Sequence, residues 1–336
     1  MADLLTTPSR FADSGWIEQT TAWGTDRLRE AGWAVTSTTQ PHARPWSTVF
    51  RLETERAEAF WLKANGDGTR YEAALLALFA ELGTPGTPQA LAVDRERGLS
   101  LMPDGGPASR AAHGALTPVD VTIEHMQRYA ELQRSLEPHV GALLATGADD
   151  LRPHRLADRL SERIDALLVE RPPARLDADD ASRLRAVLPA YAERCLELEG
   201  AGIAASINHD DLHDNNIVAA GPVFIDWGDA SVSHPFCTLL VTLRSVAFHH
   251  GLAIDDPQLD RIADAYTEAW TDVADRATLR RQAQLAIRVG PLSRSMSYVN
   301  ALTGVDDAAW DEDGDAIPGW LLELLEPGLP LHAPLL

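Results

Sequence analysis

The amino-acid sequence predicts an α+β protein: a small antiparallel sheet that carries one helix, followed by a larger, mainly helical part. Three observations support this fold class. The first hundred residues contain short apolar runs, rich in β-branched and aromatic residues, around a single helical stripe. A Pro-Asp-Gly-Gly-Pro segment at 103–107 has the composition of a linker. Beyond it, apolar residues recur mostly at helical spacing, so the predicted division is 1–102, 103–107 and 108–336.

The amino-terminal part is predicted to contain three strands, a helix and two further strands. The helix begins at Tyr71, continues with apolar residues three or four positions apart, and ends at Gly83, a residue type that commonly terminates helices. Polar turns separate the neighbouring apolar runs. The strands are predicted at 35–39, 46–52, 57–63, 91–93 and 99–102.

The carboxy-terminal part contains apolar stripes at helical spacing, at 156–168, 184–198 and 259–273. We interpret these stripes as core faces of helices, since buried apolar faces are what helices in globular proteins usually present. One interruption stands out, where two short apolar runs flank the sequence Ala-Ala-Gly-Pro at 219–222. This pattern predicts a β-hairpin within the helical part.

The charge of the chain limits its partners. With 50 acidic and 29 basic residues, the formal net charge is −21. Nucleic acids and anionic membranes attract proteins through Lys and Arg, so this chain would be repelled by both. A cationic small molecule is compatible with the charge, although acidity more often only keeps a protein soluble. Of the basic residues, 28 are arginine and only Lys63 is lysine, whose compact ammonium group differs from a planar guanidinium.

Composition also indicates the compartment. No apolar run approaches the roughly 20 residues of a membrane span. The first ten residues, MADLLTTPSR, lack the basic start and apolar stretch of an export signal. The two cysteines, Cys195 and Cys237, lie far apart in the sequence and form no metal-type pair. We therefore expect a reduced, cytoplasmic protein. The sequence gives no indication of the oligomeric state.

Acidic and amide side chains crowd around the predicted hairpin. Five of them lie between Asp210 and Asn216, and Asp226 directly follows the second apolar run. Turn capping would account for one or two of these residues. Polar side chains that crowd against apolar strands need a further reason, so we expect a functional site here.

The hairpin itself would bring oxygen-bearing side chains together. Pairing of Val218 with Val223 places Asn216 next to Asp226 across the hairpin, and the preceding loop carries Asp211 to the same end. Amide and carboxylate oxygens suit a hard cation such as Mg²⁺, which takes few protein ligands and keeps its other positions for water and phosphate. The sequence therefore predicts a magnesium site at this end of the hairpin.

Two motifs carry a family resemblance. The pattern H-x-D-x-x-x-x-N at 209–216, followed by I-D-W-G at 225–228, resembles the catalytic loop and metal-binding motif of the aminoglycoside phosphotransferase and choline kinase family, relatives of the protein kinases. The resemblance implies a bilobal, protein-kinase-like fold. It also implies that Asp211 is the catalytic residue that orients the acceptor hydroxyl, and that Asn216 and Asp226 hold Mg²⁺ on the phosphates of ATP or GTP.

The same resemblance assigns nucleotide-binding roles in the amino-terminal part. Lys63, in the run A-F-W-L-K, resembles the strand lysine that contacts the α- and β-phosphates. Glu72 resembles the helix glutamate that pairs with that lysine, and Glu81 is a rival for the role. Met102 resembles a residue of the hinge between lobes, whose backbone would bind adenine.

The sequence departs from the kinase pattern in one respect, because it has no Gly-rich G-x-G-x-x-G loop. The equivalent loop is 41–48, in which Ser47 or Thr48 would contact phosphate. The antibiotic-kinase relatives commonly lack the Gly-rich loop as well. The resemblance spans roughly residues 30–250.

Several other residues near the motifs have expected roles. We expect His209 to brace the catalytic loop rather than to transfer protons. Asp229 either joins the metal site or caps the next helix, and we favour the cap. Six carboxylates within 306–315, with Trp310 and Trp320 nearby, form either a wall that grips substrate amines, as in aminoglycoside-modifying relatives, or a solvated loop.

The function that the motifs favour is ATP-dependent transfer of the γ-phosphate to a hydroxyl of a small, antibiotic-like or metabolite acceptor, which can be cationic. Antibiotic resistance is one role that such a reaction serves. Two alternatives remain: a kinase for a small metabolite such as choline, a sugar or an amino alcohol, and a non-catalytic nucleotide-binding module that regulates a partner. An Fe(II) site built from His209, Asp211 and a distant histidine is disfavoured, because it leaves Lys63, Asn216 and Asp226 without a role.

Overall fold

The computed structural model describes residues 10–326 and confirms the predicted fold class. The first nine residues, on which the expectation of no export signal rests, and residues 327–336 lie outside this range. A five-stranded antiparallel sheet with its helices forms the amino-terminal lobe, and a larger helical lobe follows. The elements of the first lobe are α1 (Ser14–Glu30), β1 (Val35–Arg44), β2 (Ser47–Thr54), β3 (Ala59–Asn65), α2 (Tyr71–Leu82), β4 (Ala92–Asp94) and β5 (Leu99–Pro103).

The sheet of the amino-terminal lobe has the strand order β1-β2-β3-β5-β4, with every neighbouring pair antiparallel. Its inner face is apolar because half-buried and buried residues alternate along β2, so that Phe50 and Leu52 join Leu62 of β3 in a small core. The register places Lys63 opposite Val49 on β2 and Ser100 on β5. Lys63 therefore lies on the central strand of the sheet.

A helix that the sequence analysis does not predict, α1, covers this small core. Asp13 caps its first turn by accepting a hydrogen bond from the backbone N–H of Trp16. The face that α1 buries consists of Thr20, Gly24 and Leu28. A Cβ on Gly24 would lie 2.9 Å from Leu62, so glycine allows the helix to pack closely on the sheet.

Helix α2 begins at Tyr71 and ends at Leu82, as the sequence predicts, and Gly83 follows it in the left-handed conformation. The Tyr71 hydroxyl donates to the backbone oxygens of Gly228 and Ala230, at 2.6 and 2.8 Å, in the other lobe. The helix is thereby fixed to the segment that follows the second motif.

The two lobes also meet at the loop before α2. A Cβ on Gly68 would lie only 2.1 Å from the backbone oxygen of Asn300. Next to it, the Asp67 carboxylate accepts a hydrogen bond from Arg10. The backbone of this loop therefore approaches the helical lobe so closely that no side chain fits between them.

The chain passes into the helical lobe through 104–107, which has neither helix nor strand. Whether this segment acts as a hinge stays a prediction. Of the helices in the described range, none is long and apolar enough to cross a membrane. The elements of this lobe are α3 (Ser109–Ala112), α4 (Val119–Leu136), α5 (Val140–Ala145), β6 (Asp149–Leu151), α6 (Pro153–Val169), α7 (Ala178–Gly200), β7 (Ser206–Asn208), β8 (Ile217–Val218), β9 (Val223–Phe224), β10 (Ser231–Ser233), α8 (Leu239–His250), α9 (Pro257–Thr267), α10 (Arg276–Val289), α11 (Pro291–Ala301), α12 (Asp307–Asp313) and α13 (Ala316–Leu322).

Short strands hold the motif region against the helices. Strand β10 pairs with β6 in parallel and with β7 in antiparallel orientation, and β8 pairs with β9 as the predicted hairpin. Beneath the hairpin, the ring of Tyr129 packs against the rings of Phe224 and Trp227, with centroids 5.1 and 6.3 Å apart. The motif loops therefore rest on a rigid aromatic base.

Candidate active site

A cleft with a cavity volume of about 410 Å³ lies between the sheet and the helical lobe. This size is in the range of pockets that hold small ligands. Lys63 and Ser47 reach it from the first lobe, and Asp211 and Asp226 reach it from the second. Its lining residues are Trp46, Ser47, Lys63, Asn65, Thr69, Asp211, His213, Asp226, Gly228, Asp229, Arg294, Ser297, Tyr298, Ala301, Ala316, Gly319, Trp320 and Glu323.

Lys63 connects the two lobes through ion pairs. Its Nζ lies 2.6 Å from Oε2 of Glu72 on α2 and 2.5 Å from Oδ1 of Asp226. Lys63 and Glu72 are both buried. Burial alone would lower the pKa of the Lys63 ammonium, but Asp226 and Glu72 raise it above its ordinary value. The lysine is therefore a fixed positive charge inside the cleft.

Glu72 also contacts the second motif directly, because its Oε1 accepts a hydrogen bond from the backbone N–H of Trp227 at 3.0 Å. The rival residue, Glu81, pairs with Arg95 on the surface. The structure thus places Glu72, and not Glu81, beside Lys63.

The predicted hairpin register is correct. Val218 pairs with Val223, and the backbone N–H of Ile225 donates to the backbone oxygen of Asn216 at 2.9 Å. Asp226 follows in the left-handed conformation, with φ of 65°, which turns the chain into the cleft. Asn216 and the second motif therefore meet at the open end of the hairpin.

Asn216 is tied to the catalytic loop. Its Nδ2 donates to the backbone oxygen of Asp211 at 2.9 Å, which leaves the amide oxygen as its free acceptor within the described structure. The Asp226 side chain is 56% exposed to the cleft, and the Lys63 ammonium lowers the pKa of its carboxyl. An ionised carboxylate and an amide oxygen are the donor types that Mg²⁺ takes.

These residues fit a magnesium ion that the nucleotide helps to hold. Within residues 10–326, no group of three or more His, Cys, Asp or Glu side chains is arranged to hold a metal. Asn216 and Asp226 would therefore supply two ligands, and phosphate and water would supply the others. His209 itself disfavours an iron site, because its ring is buried and its Nε2 lies 2.8 Å from the backbone oxygen of Ile225. That contact is the bracing arrangement expected of His209.

Asp211 is held ionised in the cleft. Its carboxylate lies 3.5 Å from the Arg294 guanidinium and 3.4 Å from Nε2 of His213. Burial would raise the pKa of Asp211, but Arg294 and His213 outweigh it and lower the pKa to about 2. A carboxylate that stays ionised accepts a hydrogen bond from a hydroxyl and orients it.

Asp210, next to Asp211, is buried and faces away from the cleft. Its carboxyl accepts hydrogen bonds from Nδ2 of Asn208 at 2.7 Å and from the hydroxyl of Ser231 at 2.5 Å. Burial raises the pKa of Asp210 to about 7, although Ser231 and Arg294 act to lower it. Its φ is 59°, a conformation that Asp tolerates better than most residues.

The remaining predicted nucleotide contacts lie in different environments. Ser47 is half-buried and lines the cleft. Thr48 is fully buried, and its hydroxyl donates to the backbone oxygen of His42 and accepts from Gln40, so it stabilises the β1–β2 loop. Met102 is half-buried on β5 opposite Trp61 and is not among the residues that line the cavity.

One expectation next to the motifs needs correction, and one of the two interpretations of the acidic segment 306–315 is excluded. Asp229 does not cap the next helical turn, which begins at Pro235 with His234 as its cap. Instead, Oδ2 of Asp229 accepts a hydrogen bond from Arg294 at 3.2 Å, and Asp229 lines the cleft. None of the acidic residues of 306–315 is among the residues that line it.

The acidic segment 306–315 is used locally instead. Asp306 caps α12, and Asp307 pairs with Arg171 on the surface. Trp310 packs against Arg171, whereas Trp320 does line the cleft. The acidic run is therefore a helix-capping and surface segment.

Sequence analysis missed Arg294, Tyr298 and Glu323, which complete the cleft from the helical lobe. They come from α11 and from the turn after α13, and no motif marks them. Among 28 arginines, one buried arginine has no distinguishing local pattern. Only the tertiary structure identifies it.

The sequence model of the phosphotransferase enzyme family matches residues 38–280 of the chain. No curated protein sequence is significantly similar to it. Among solved structures, macrolide 2'-phosphotransferase MphH from Brachybacterium faecium is 17% identical, with 89% of this chain and 97% of that chain covered and a TM-score of 0.55. An ethanolamine kinase from Plasmodium vivax is 13% identical, with 92% and 89% covered and a TM-score of 0.57.

A third structure, the GDP and kanamycin complex of APH(2")-IIia, is 14% identical, with 89% of this chain and 98% of that chain covered and a TM-score of 0.56. At these identities the likeness concerns the fold, which is the bilobal kinase-like fold that the motifs imply. The family model, in contrast, spans well over half of the chain and includes both motifs. The chain belongs to the phosphotransferase enzyme family.

Proposed function

We propose that this protein transfers the γ-phosphoryl group of ATP or GTP, with Mg²⁺, to a hydroxyl of a small antibiotic-like or metabolite acceptor. The observation that carries the proposal is the arrangement of Lys63, Glu72 and Asp226 in one cleft with Asp211. Lys63 is fixed by a carboxylate from each lobe, at 2.6 and 2.5 Å. A buried lysine whose ammonium is held at the wall of an open cleft is placed to contact the phosphates of a nucleotide.

Phosphoryl transfer asks a protein mainly for positioning and charge neutralisation. Lys63 would neutralise phosphate charge, and Glu72 would keep its ammonium in place. Asn216 and Asp226 would hold Mg²⁺, which supplies further neutralisation of phosphate charge when bound. Asp211, whose pKa is about 2, would orient the acceptor hydroxyl and take its proton only late in the transfer.

The two alternatives differ from this proposal in one observable each. A small-metabolite kinase would use the same cleft and differ only in its acceptor. A regulatory module would bind nucleotide without transferring phosphate. The ionised Asp211 in the cleft favours an enzyme, since a binding module has no need of it.

Two observations favour the cytoplasm as the place of action: the reaction needs a nucleotide, and the two cysteines, Cys195 and Cys237, are buried and free.

The test is a transfer assay with the full chain, ATP or GTP, Mg²⁺ and a panel of hydroxylated antibiotics and metabolites, read by mass spectrometry. Asp211→Asn should lower kcat by about 10²–10⁴-fold and change the Kd of the nucleotide little. Asp311→Asn, on the exposed side of α12, is the matched control and should be active. Unchanged turnover in Asp211→Asn would exclude the mechanism.

Two further readouts separate the roles. Nucleotide binding without any phosphorylated product would favour the regulatory module. For an antibiotic acceptor, expression in a susceptible host should raise the inhibitory concentration of that antibiotic, and Asp211→Asn should abolish this effect. Resistance that persists in Asp211→Asn would point to a mechanism other than phosphorylation.

A further inference from the structure

Strand β3 brings a second polar side chain to the cleft, two residues after Lys63. Side chains two positions apart on a strand share a face, so Asn65 lies on the same face of the sheet as Lys63, away from the small core that contains Leu62. The register pairs Asn65 directly with Ser47 on β2. Ser47, Lys63 and Asn65 all line the cleft. The sheet therefore presents a hydroxyl, an ammonium and an amide on one wall, and all three can donate hydrogen bonds.

The backbone of Asn65 is fixed, but its side chain is not satisfied by the protein. Its backbone N–H donates to the backbone oxygen of Gly98 at 3.0 Å, and its own backbone oxygen accepts from Arg10 at 2.8 Å. The residue is 1% exposed, yet its Nδ2 has no hydrogen-bond partner within residues 10–326. An unpaired buried N–H destabilises a folded protein, so such a group needs an explanation. A ligand that accepts this hydrogen bond would provide one.

The amide of Asn65 faces the second motif across the cleft. A Cβ on Gly228 would lie 3.9 Å from Oδ1 of Asn65, and Gly228 follows Asp226 by two residues. No group of the described residues holds Nδ2, and the last side-chain torsion of asparagine has a broad, two-fold preference. Rotation about that bond can therefore bring the N–H to the same place, beside the predicted magnesium site.

The two walls of the cleft differ in what they offer a ligand. The helical lobe contributes the carboxylates of Asp211, Asp226 and Asp229, and its cation Arg294 is shared by two of them. Ionised carboxylates only accept hydrogen bonds, and so do phosphate oxygens. Phosphate oxygens would therefore turn towards the donors of the sheet wall.

The position of Asn65 along β3 indicates which phosphate it would contact. Phe60 pairs with Pro103, next to the segment that joins the lobes, and Lys63 pairs with Ser100, further from that segment. With a rise of about 3.3 Å per residue, Asn65 lies about 7 Å beyond Lys63 in the same direction. The family resemblance implies that the base binds beside the joining segment and that Lys63 contacts the α- and β-phosphates. Asn65 would then reach the next phosphate, which is the terminal one.

Building on the proposed function, we propose that Nδ2 of Asn65 donates a hydrogen bond to an oxygen of the γ-phosphoryl group and so positions the group that is transferred. A nucleoside diphosphate lacks this group. Asn65 therefore contributes to the affinity for the triphosphate substrate and not to the affinity for the diphosphate product.

The test compares a triphosphate with a diphosphate. The Kd values of ADP and of adenylyl imidodiphosphate, an uncleaved ATP analogue, are measured by calorimetry with Mg²⁺ on the full chain, with the guanine pair in their place if the wild type prefers GTP. Asn65→Leu removes the donor at similar size. It should raise the Kd of the analogue by about 10–100-fold, the effect of one hydrogen bond to a charged group, and should change the Kd of ADP little. Gln127→Leu, the same kind of change at an exposed position of α4, is the matched control and should leave both Kd values unchanged.

A purely structural role of Asn65 would give a different result. Equal losses of affinity for the analogue and for ADP, or no loss for either, overturn the inference. If Asn65→Leu does not fold, Asn65→Ala, which removes the same donor without adding bulk, decides the question by the ratio of the same two Kd values.

Failure of this inference can be told apart from failure of the proposed function. If the wild type binds nucleotide and transfers phosphate while Asn65→Leu and Asn65→Ala leave the ratio of Kd values unchanged, only the role of Asn65 is overturned. Lack of binding of either nucleotide to the wild type, together with lack of transfer to every acceptor, overturns the proposed function and this inference with it.

Discussion

Replacing Asp210 by Asn should stabilise the protein by an amount that grows with pH. The carboxyl is buried and its pKa is raised to about 7, against an ordinary value of 3.8. Between these two values the unfolded chain has lost the proton and the folded chain still holds it. Stability therefore falls as the pH rises from about 4 to 7, and the full penalty is present above pH 7.

The magnitude follows from the two pKa values. One pKa unit corresponds to about 1.4 kcal/mol, so ionised Asp210 costs the folded state about 4 kcal/mol at alkaline pH. Asn cannot ionise, can accept the hydrogen bond from Asn208 and can donate one to Ser231, and it tolerates a positive φ. Between pH 5 and pH 8, the stability advantage of Asp210→Asn should grow by roughly 3 kcal/mol.

The assay is urea unfolding of the wild type and Asp210→Asn at pH 5, 6, 7 and 8, followed by tryptophan fluorescence. Asp311→Asn, an exposed substitution, controls for the loss of one charge from an acidic protein. Its difference from the wild type should stay within about 0.5 kcal/mol across the range. A constant difference between Asp210→Asn and the wild type would refute the reasoning, since it would mean that Asp210 is already ionised in the folded protein at pH 5.

Two further predictions concern the contacts between the lobes. Glu72→Gln should raise the Kd for nucleotide by about 10–100-fold, since a charged hydrogen bond contributes about 1.5–3 kcal/mol. In contrast, Glu81→Gln should leave the Kd unchanged in the same titration, and equal effects would count against the pairing of Glu72 with the lysine. Gly68→Ala forces a Cβ against the backbone of Asn300 and should lower kcat/KM by about 10²-fold, because displacing reacting groups by about 1 Å has effects of that size. The control Gly141→Ala, at a helical position with open space around it, should keep full activity, and a comparable loss there would show that the effect is not specific to the lobe contact.

The parts of the site that could be predicted from sequence are those that local structure determines. The pairing of Val218 with Val223 follows from the length of the turn, and it places Asn216 beside Asp226 without any information from elsewhere in the fold. Helix α2 could also be predicted, because its apolar stripe and its terminating Gly83 are both local signals.

Helix α1 could not be found in the same way. The residues that it buries are Thr20, Gly24 and Leu28, and only one of these is a large apolar residue. Its close packing depends on the absence of a side chain at Gly24, opposite Leu62. Ile17, Trp23 and Leu28 of this helix pack in or against the small core, but Thr20 and Gly24 interrupt their stripe, so the hydrophobic periodicity of the segment is weak.

Asp229 was misjudged for a different reason. A carboxylate just after a Gly is a common helix cap, and the local sequence favours that interpretation. Its actual partner, Arg294, lies 65 residues further along the chain and reaches it only through the packing of α11. Ion pairs of this kind depend on tertiary structure, and their residues carry no local pattern.

The position of the only lysine makes this protein convenient for magnetic resonance. Lys63 lies on the central strand, between β2 and β5, and its ammonium bridges the lobes. Growth on ¹⁵N-lysine would therefore give a spectrum with one backbone amide, in the sheet, and one side-chain ammonium, in the cleft. A single residue type would report at once on whether the sheet is folded, whether the lobes are in contact, and whether nucleotide has entered.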